Sequence, residues 1–290
     1  MRLAQKMAIV TGGGAGIGEA IAHKFAREGA SVLVADVPDS AAQEVVDSII
    51  AAGGRAACFL GDLTQEEKAK ACVQTAIDTF GRLDVLASNA GVFVHVGEIE
   101  TWETDTFDFM MRNNTRSTFL MTKHAIPQLK KTRGNIVFTG SITAMMGAAD
   151  LSVYGASKGF VHAFMMGIAL EQAKYGVRAN AVAPGAIATS WTTAGAGGPI
   201  SAELQKQTSD GAAMGRQGTP EEMANVIAFL ASDEASYVTG AVFVADGGVI
   251  PAQGAPGAQV PDLLKRLPEP TLPLRHSLGG EKGKPVVRSR

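Results

Sequence analysis

The sequence predicts an α/β protein, a single doubly wound parallel sheet of about seven strands with helices on both faces. Three observations carry this. Short apolar runs alternate with segments of ten to sixteen residues at helical spacing, the pattern of βαβ units with right-handed crossovers. The first apolar run leads through a glycine-rich turn straight into a helical pattern. And 290 residues, 46% hydrophobic and 19% charged, are enough for one large globular domain.

Met7 to Thr11 (MAIVT) reads as a buried strand, and Thr11 to Gly18 (TGGGAGIG) as a glycine turn opening a helix. Free N–H groups and a positive dipole end make such a helix start a site for phosphate. Glycine lets the backbone approach a pyrophosphate closely. The glycines are spaced Gly12-xxx-Gly16-x-Gly18, which is not the commonest dinucleotide fingerprint. Ser31 to Asp36 is a second strand ending in a carboxylate, followed by Val37. An acid there suits ribose hydroxyls and repels a 2′-phosphate, and neither Ala15 nor Val37 offers a base. The expected cofactor is therefore NAD rather than NADP.

A helix over 41–52 ends at Gly53-Gly54, and a strand over 55–60 leads to Gly61-Asp62-Leu63. A helix over 65–80 ends at Gly81, and a strand over 83–87 runs into Ser88-Asn89-Ala90-Gly91. Ligands of such sheets bind at the carboxyl ends of strands, which places Asp62, Asn89 and Gly91 on the adenine and ribose side. Residues 104–131 read as a long helical stretch, broken near Asn113-Asn114 and ended or bent near Pro127. Asn114 sits among apolar neighbours, where asparagine competes for backbone hydrogen bonds. A kink with a freed carbonyl and a cap between two helices are the two readings.

Residues 134–140 form a strand delivering Ser141, and a helix runs from there to about Tyr175. On it Tyr154 and Lys158 lie four residues apart and share a face. A cation beside a phenol favours phenolate and lowers its pKa from ~10. Such a tyrosine exchanges a proton with a carbonyl or an alcohol, and Ser141 can hydrogen-bond the same oxygen. An ordinary surface Tyr/Lys pair is the bland alternative. A strand over 177–183 precedes Pro184-Gly185-Ala186-Ile187-Ala188-Thr189. Residues 190–215 have weak periodicity and many glycines, the character of a lid. Thr219-Pro220 starts a helix that runs to about Ala231. A last strand over 240–245 closes at Asp246-Gly247-Gly248.

Other classes are disfavoured. A net charge of −2 leaves no footprint for nucleic acid. No apolar run approaches the ~20 residues of a membrane span, and the N-terminal run is too short for a signal sequence. Cys58 and Cys72 are too few for a disulfide framework and read as reduced, buried thiols, so a cytoplasmic setting is expected. No metal is expected. Residues 1–250 form the catalytic domain. Residues 251–290 hold seven prolines, seven basic and three acidic residues. They read either as a flexible tail or, through Leu263, Leu264, Leu267, Leu272 and Leu274, as a segment docked on the acidic body or a neighbouring subunit.

Taken together, TGGGAGIG, Asp62-Leu63, SNAG at 88–91, Asn114, Ser141, Tyr154-xxx-Lys158, Pro184-Gly185 through Thr189 and Asp246-Gly247-Gly248 resemble the short-chain dehydrogenase/reductase family. The resemblance runs from Met7 to Gly248. Two departures are Ser88 in place of a second asparagine and Gly140 in place of a serine. The resemblance implies a Rossmann-like fold and hydride transfer between nicotinamide and a carbinol carbon. It implies Tyr154 as general acid/base and Lys158 as the group that lowers its pKa and holds the nicotinamide ribose. Ser141 would orient the substrate oxygen, and Asn114 would hold a water that links Lys158 to solvent. Cofactor contacts are implied at Gly12, Gly14, Ala15, Gly16, Ile17, Gly18, Asp36, Val37, Asp62, Leu63, Asn89, Ala90, Gly91, Pro184, Gly185, Ile187 and Thr189. It also implies a homodimer or homotetramer built on the helices bearing Asn114 and Tyr154, with Met165 and Met166 at the interface.

The expected substrate wall is Val92, Phe93, His95, Ile142, Thr143, Met145, Met146, Leu151 and Trp191, with Met214 at its edge. It is mostly apolar and suits a hydrophobic secondary alcohol or ketone: alicyclic, aromatic or steroid-like. His95 is its one titratable group, and Arg112 and Arg116 are read as pointing outward. The rival readings are an NADP-dependent 3-oxoacyl-type reductase and a non-catalytic nucleotide-binding regulator.

Overall fold

The computed structural model describes residues 1–189 and 202–276. Its strands are β1 (Met7–Thr11), β2 (Ser31–Asp36), β3 (Arg55–Leu60), β4 (Val85–Ser88), β5 (Asn135–Thr139), β6 (Arg178–Pro184) and β7 (Val242–Ala245). All pair in parallel in the order β3-β2-β1-β4-β5-β6-β7. The order reverses between β1 and β4, so a crevice opens at their carboxyl ends, the place such sheets bind ligands.

Alternate residues of β1 enter opposite cores. Ala8 and Val10 pack with α1 (Gly16–Arg27), α2 (Ala42–Ala51) and a helix over Pro220–Ala231. Met7 and Ile9 pack with α3 (Glu66–Phe80), α5 (Ser117–Thr132) and α6 (Ser152–Gln172). Both faces of the sheet are thus buried, as a parallel sheet requires.

Helix α4 (Thr104–Met111) passes through a π turn over Arg112–Arg116 into α5. Asn114 is therefore not a cap, and the break expected at Asn113-Asn114 is a π turn rather than an interruption. The extra residue in that turn rotates the chain and swings Asn114 into the core, where it is 1% exposed. Such insertions are frequent at functional sites. Helix α5 does not end at Pro127. The proline lies on the exposed side, so the carbonyl it deprives, that of Lys123, faces solvent.

Residues 202–211, expected to lack regular structure, form α7 (Ala202–Gly211). The helix is polar and leaves no apolar stripe to read. Its end is held by a close backbone approach from far along the chain: a Cβ on Gly257 would stand 2.4 Å from the Ala212 carbonyl and 2.8 Å from that of Ser209. Helix α8 (Pro220–Ala231) starts with a full capping box between Thr219 and Glu222, as the Thr-Pro-Glu-Glu start suggests.

The segment 251–276 lies on the body. Leu272 is buried and Leu274 packs against the core shared by α1 and α8. Glu221 accepts from the backbone N–H groups of Thr271 and Leu272, and Arg27 donates to Thr271. Glu19 accepts from the N–H groups of Arg275 and His276. Leu263, Leu264 and Leu267 are exposed, so of the five leucines only Leu272 and Leu274 take part in the docking. No helix among the described residues is long and apolar enough to cross a membrane.

Candidate active site

A cavity of about 860 Å³ runs along the carboxyl ends of the strands. At one end stands the glycine turn. Gly12 and Gly16 have positive φ, +63° and +57°, which other residues adopt only at a cost. Gly18 is required for a different reason: a Cβ there would lie 1.9 Å from the Gly12 carbonyl oxygen. Gly12, Gly14, Ala15, Gly16 and Ile17 line the cavity, whereas Gly18 supports the turn from behind.

Asn89 ties this turn to the sheet. Its amide donates to the carbonyls of Thr11 (3.1 Å) and Gly12 (3.4 Å), and its oxygen accepts from Thr139 (3.0 Å). The Thr11 hydroxyl accepts from the N–H groups of Asn89 and Ala90 at 3.0 Å each. Asp36 ends β2 with one oxygen on the Gly14 N–H (2.8 Å) and the other on the Val37 N–H (2.7 Å). Burial pushes its carboxyl up, against those two bonds. Burial also acts upward on Asp62, but hydrogen bonds from Thr64 and Gln65 and the charge of Arg112 outweigh it and hold the carboxyl below its ordinary value. Arg112, expected to point outward, lines the cavity, because the π turn rotates it inward. Arg116 does not; it donates to the Thr64 carbonyl at 2.9 Å.

The other end holds Ser141, Tyr154 and Lys158 on one wall. The Lys158 ammonium donates to the Thr139 carbonyl at 3.0 Å and lies 5.8 Å from the Tyr154 ring centre. The two side chains therefore project together, as four-residue spacing on a helix demands. The expected electrostatics are not found. Burial pushes the Tyr154 phenol up to about 12, opposed by a hydrogen bond with Ser141, and pushes Lys158 down to about 8. Desolvation of the phenol dominates there.

Asn114 does not line the cavity but braces its wall. Its oxygen accepts from the Val92 N–H (2.6 Å), and its amide donates to the Val92 carbonyl (3.0 Å) and to Ser157 (3.0 Å). Gly91 makes room for it, since a Cβ there would stand 3.1 Å from the Asn114 oxygen and 3.4 Å from the Lys158 nitrogen.

Phe93, Ile142, Thr143, Met146 and Leu151 line the region beyond Tyr154, with Val92 beside them. Phe93 meets the Tyr154 ring edge-on at 5.0 Å. Three expected wall residues are elsewhere. His95 is held by Thr101 (2.9 Å) and packs edge-on against Trp102. Met145 and Met214 are half-exposed outside the cavity. Trp191 lies outside the described residues. Sequence reasoning missed Gln207 and Thr208, which α7 brings to the rim, and Val249. Asp62, Leu63, Ala90, Pro184, Gly185, Ile187 and Thr189 all line the cavity. Met165, expected at a subunit interface, is fully buried in the core, while its neighbour Met166 is half-exposed. Both cysteines are free thiols; Cys72 is buried and Cys58 only partly so.

A family model described as enoyl-(acyl carrier protein) reductase matches residues 12–250. Among curated proteins, the chain is 38% identical over 244 residues to a cyclohexanol dehydrogenase of Acinetobacter sp. strain SE19, covering 83% of this chain and 94% of the relative. It is 36% identical over 258 residues to a meso-2,3-butanediol dehydrogenase of Serratia marcescens, covering 88% and 99%. Among solved structures, a dehydrogenase/reductase of Sinorhizobium meliloti 1021 superposes with a TM-score of 0.79 at 33% identity, covering 85% of this chain and 96% of that one.

Proposed function

The chain belongs to the short-chain dehydrogenase/reductase family, and from that premise we propose that it interconverts a hydrophobic secondary alcohol and its ketone with NAD. The observation that carries this reading is the convergence of Ser141, Tyr154 and Lys158 on the cavity that begins at the glycine turn. The residues fit a dinucleotide. The turn is packed tightly on itself and on the residues after β4, since added Cβ atoms at Gly12 and Gly18 would collide there. It opens on the N-terminus of α1, a site for pyrophosphate. Asp36 would face the adenosine ribose and Lys158 the nicotinamide ribose. Ile187 and Thr189, beside the sheet end, would meet the carboxamide.

A bound nicotinamide would supply the hydride acceptor for the carbinol carbon. The chain's own residues handle the rest. Ser141 and Tyr154 fix the substrate oxygen, and Tyr154, in its phenolate form, takes the substrate proton as the carbonyl forms. Lys158, its pKa pushed down to about 8 by burial, relays that proton toward the Asn114 side of the site. Phe93, Ile142, Met146 and Leu151 exclude water around the carbinol carbon. The similarity to a cyclohexanol dehydrogenase supports a compact apolar alcohol, and that to a butanediol dehydrogenase supports a secondary alcohol. The half-exposed Phe119 and Met166 on α5 and α6 support association of two or more copies through those helices.

The test is a fluorescence titration with NADH and NADPH, then a screen of alicyclic, aromatic and steroidal alcohols with the preferred cofactor. Tighter NADH binding with turnover of an alicyclic alcohol supports the reading. A preference for NADPH overturns the role given to Asp36 and turns the reading toward a biosynthetic reductase.

A further inference from the structure

Ser141 opens a short 3-10 turn over Ile142–Ala144, and its hydroxyl oxygen has two donors within that turn. The Thr143 N–H reaches it at 3.2 Å and the Thr143 hydroxyl at 2.9 Å. A serine hydroxyl has two acceptor positions and one proton. Both acceptor positions are filled, so the Ser141 proton is the only capacity left. Ser141 lines the same cavity wall as Tyr154, and with its lone pairs occupied it can only donate toward an oxygen there. The turn is pinned against the tyrosine helix: a Cβ on Gly155, the residue after Tyr154, would stand 2.9 Å from the Thr143 carbonyl oxygen. Thr143 itself lines the cavity.

We propose that Thr143 is a positioning residue that fixes the direction of the Ser141 proton, so that Ser141 always donates toward the reacting oxygens and never accepts from them. A donor fixed in this way favours negative charge on the Tyr154 oxygen when its proton leaves and on the substrate oxygen as the alkoxide develops. The inference rests on the dehydrogenase reading of the same site. No proton is transferred to or from Thr143; its hydroxyl keeps its hydrogen throughout.

The variants are Thr143→Val, which keeps shape and the backbone donor, and Thr143→Ser, which restores a hydroxyl. Tyr154→Phe serves as the control. The readout is the pH profile of kcat/KM for NAD+ reduction by cyclohexanol. In Thr143→Val, kcat falls about tenfold, the factor that corresponds to ~1.4 kcal/mol for one hydrogen bond. The acidic limb of the profile moves to higher pH, because the phenolate has lost support, and KM for NAD+ is unchanged. Thr143→Ser returns both values to those of the unsubstituted protein. A Thr143→Val profile that superimposes on the unsubstituted one overturns the proposal alone. So does a loss that Thr143→Ser fails to restore. Cyclohexanol oxidation that survives in Tyr154→Phe, or is absent from the unsubstituted protein, overturns the dehydrogenase reading for this substrate class and the proposal with it.

Discussion

Replacing Asn114 with alanine removes three hydrogen bonds from a side chain that is 1% exposed. The Val92 N–H, the Val92 carbonyl and the Ser157 hydroxyl all lose their Asn114 partner. Each buried group left without a partner costs about 1–3 kcal/mol. Ser157 retains a bond to the Tyr154 carbonyl at 2.7 Å, so its loss is the smallest of the three. The sum is a total near ~3 kcal/mol, which lowers Tm by roughly 6–12 °C in a domain of this size. The effect on chemistry is larger than that on cofactor binding. Val92 adjoins Phe93, which abuts the Tyr154 ring, and Ser157 adjoins Lys158. A displacement of about 1 Å at the reacting groups costs up to ~100-fold in rate. Calorimetry gives the first quantity, and steady-state NAD+ reduction with NADH titration gives the second. An Asn114→Ala protein with unchanged Tm and kcat would refute the bracing role.

The same geometry sets three further outcomes. Gly18→Ala puts a methyl group 1.9 Å from the Gly12 carbonyl oxygen, so the turn must move and NADH affinity falls by about tenfold or more; equal affinity in a titration contradicts the cradle. Leu272→Ala empties a site 6% exposed between α1 and α8 and costs about 2–3 kcal/mol, seen as a lower Tm with kcat unchanged; an unaltered Tm means the segment does not dock in solution. Burial, then the charges of Arg275 and His276, push the pKa of His23 from its ordinary 6.5 down to about 4. Its neutral form is therefore favoured by the fold, and the stability it contributes is present above pH 6.5 and is lost as pH falls through about 4. His23→Gln flattens that limb of a Tm-against-pH curve, and a curve of unchanged slope between those values refutes the assignment.

The features legible in the sequence were those fixed by local chemistry. The glycine turn, the strand-ending Asp36 and Asn89, and the spacing of Tyr154 and Lys158 each depend on a few adjacent residues. Each sits where that chemistry put it. The features that stayed hidden depend on partners far along the chain. The direction of the Tyr154 shift is set by how much of the fold surrounds the phenol, which no four-residue spacing encodes. A single extra residue in the π turn decides that Arg112 faces the cavity, and helical periodicity assumes no such insertion. Met165 and Met166 differ by one position, about 100° around a helix, and that rotation separates core from surface. His95 lies in a loop whose path is set by Thr101 and Trp102. Helix α7 has no apolar stripe and is held by Gly257, whose approach to Ala212 joins residues 45 positions apart.

The central claim is that Tyr154 exchanges the proton in an NAD-dependent oxidation at this cavity. The most direct test compares Tyr154→Phe with the unsubstituted protein in two measurements on one preparation, NADH binding by fluorescence and NAD+ reduction by an alicyclic alcohol. With Tyr154 as the proton-exchanging group, NADH affinity stays within about twofold and the rate falls by at least ~100-fold, the weight of a general acid/base. Turnover that survives the loss of the phenol would contradict it.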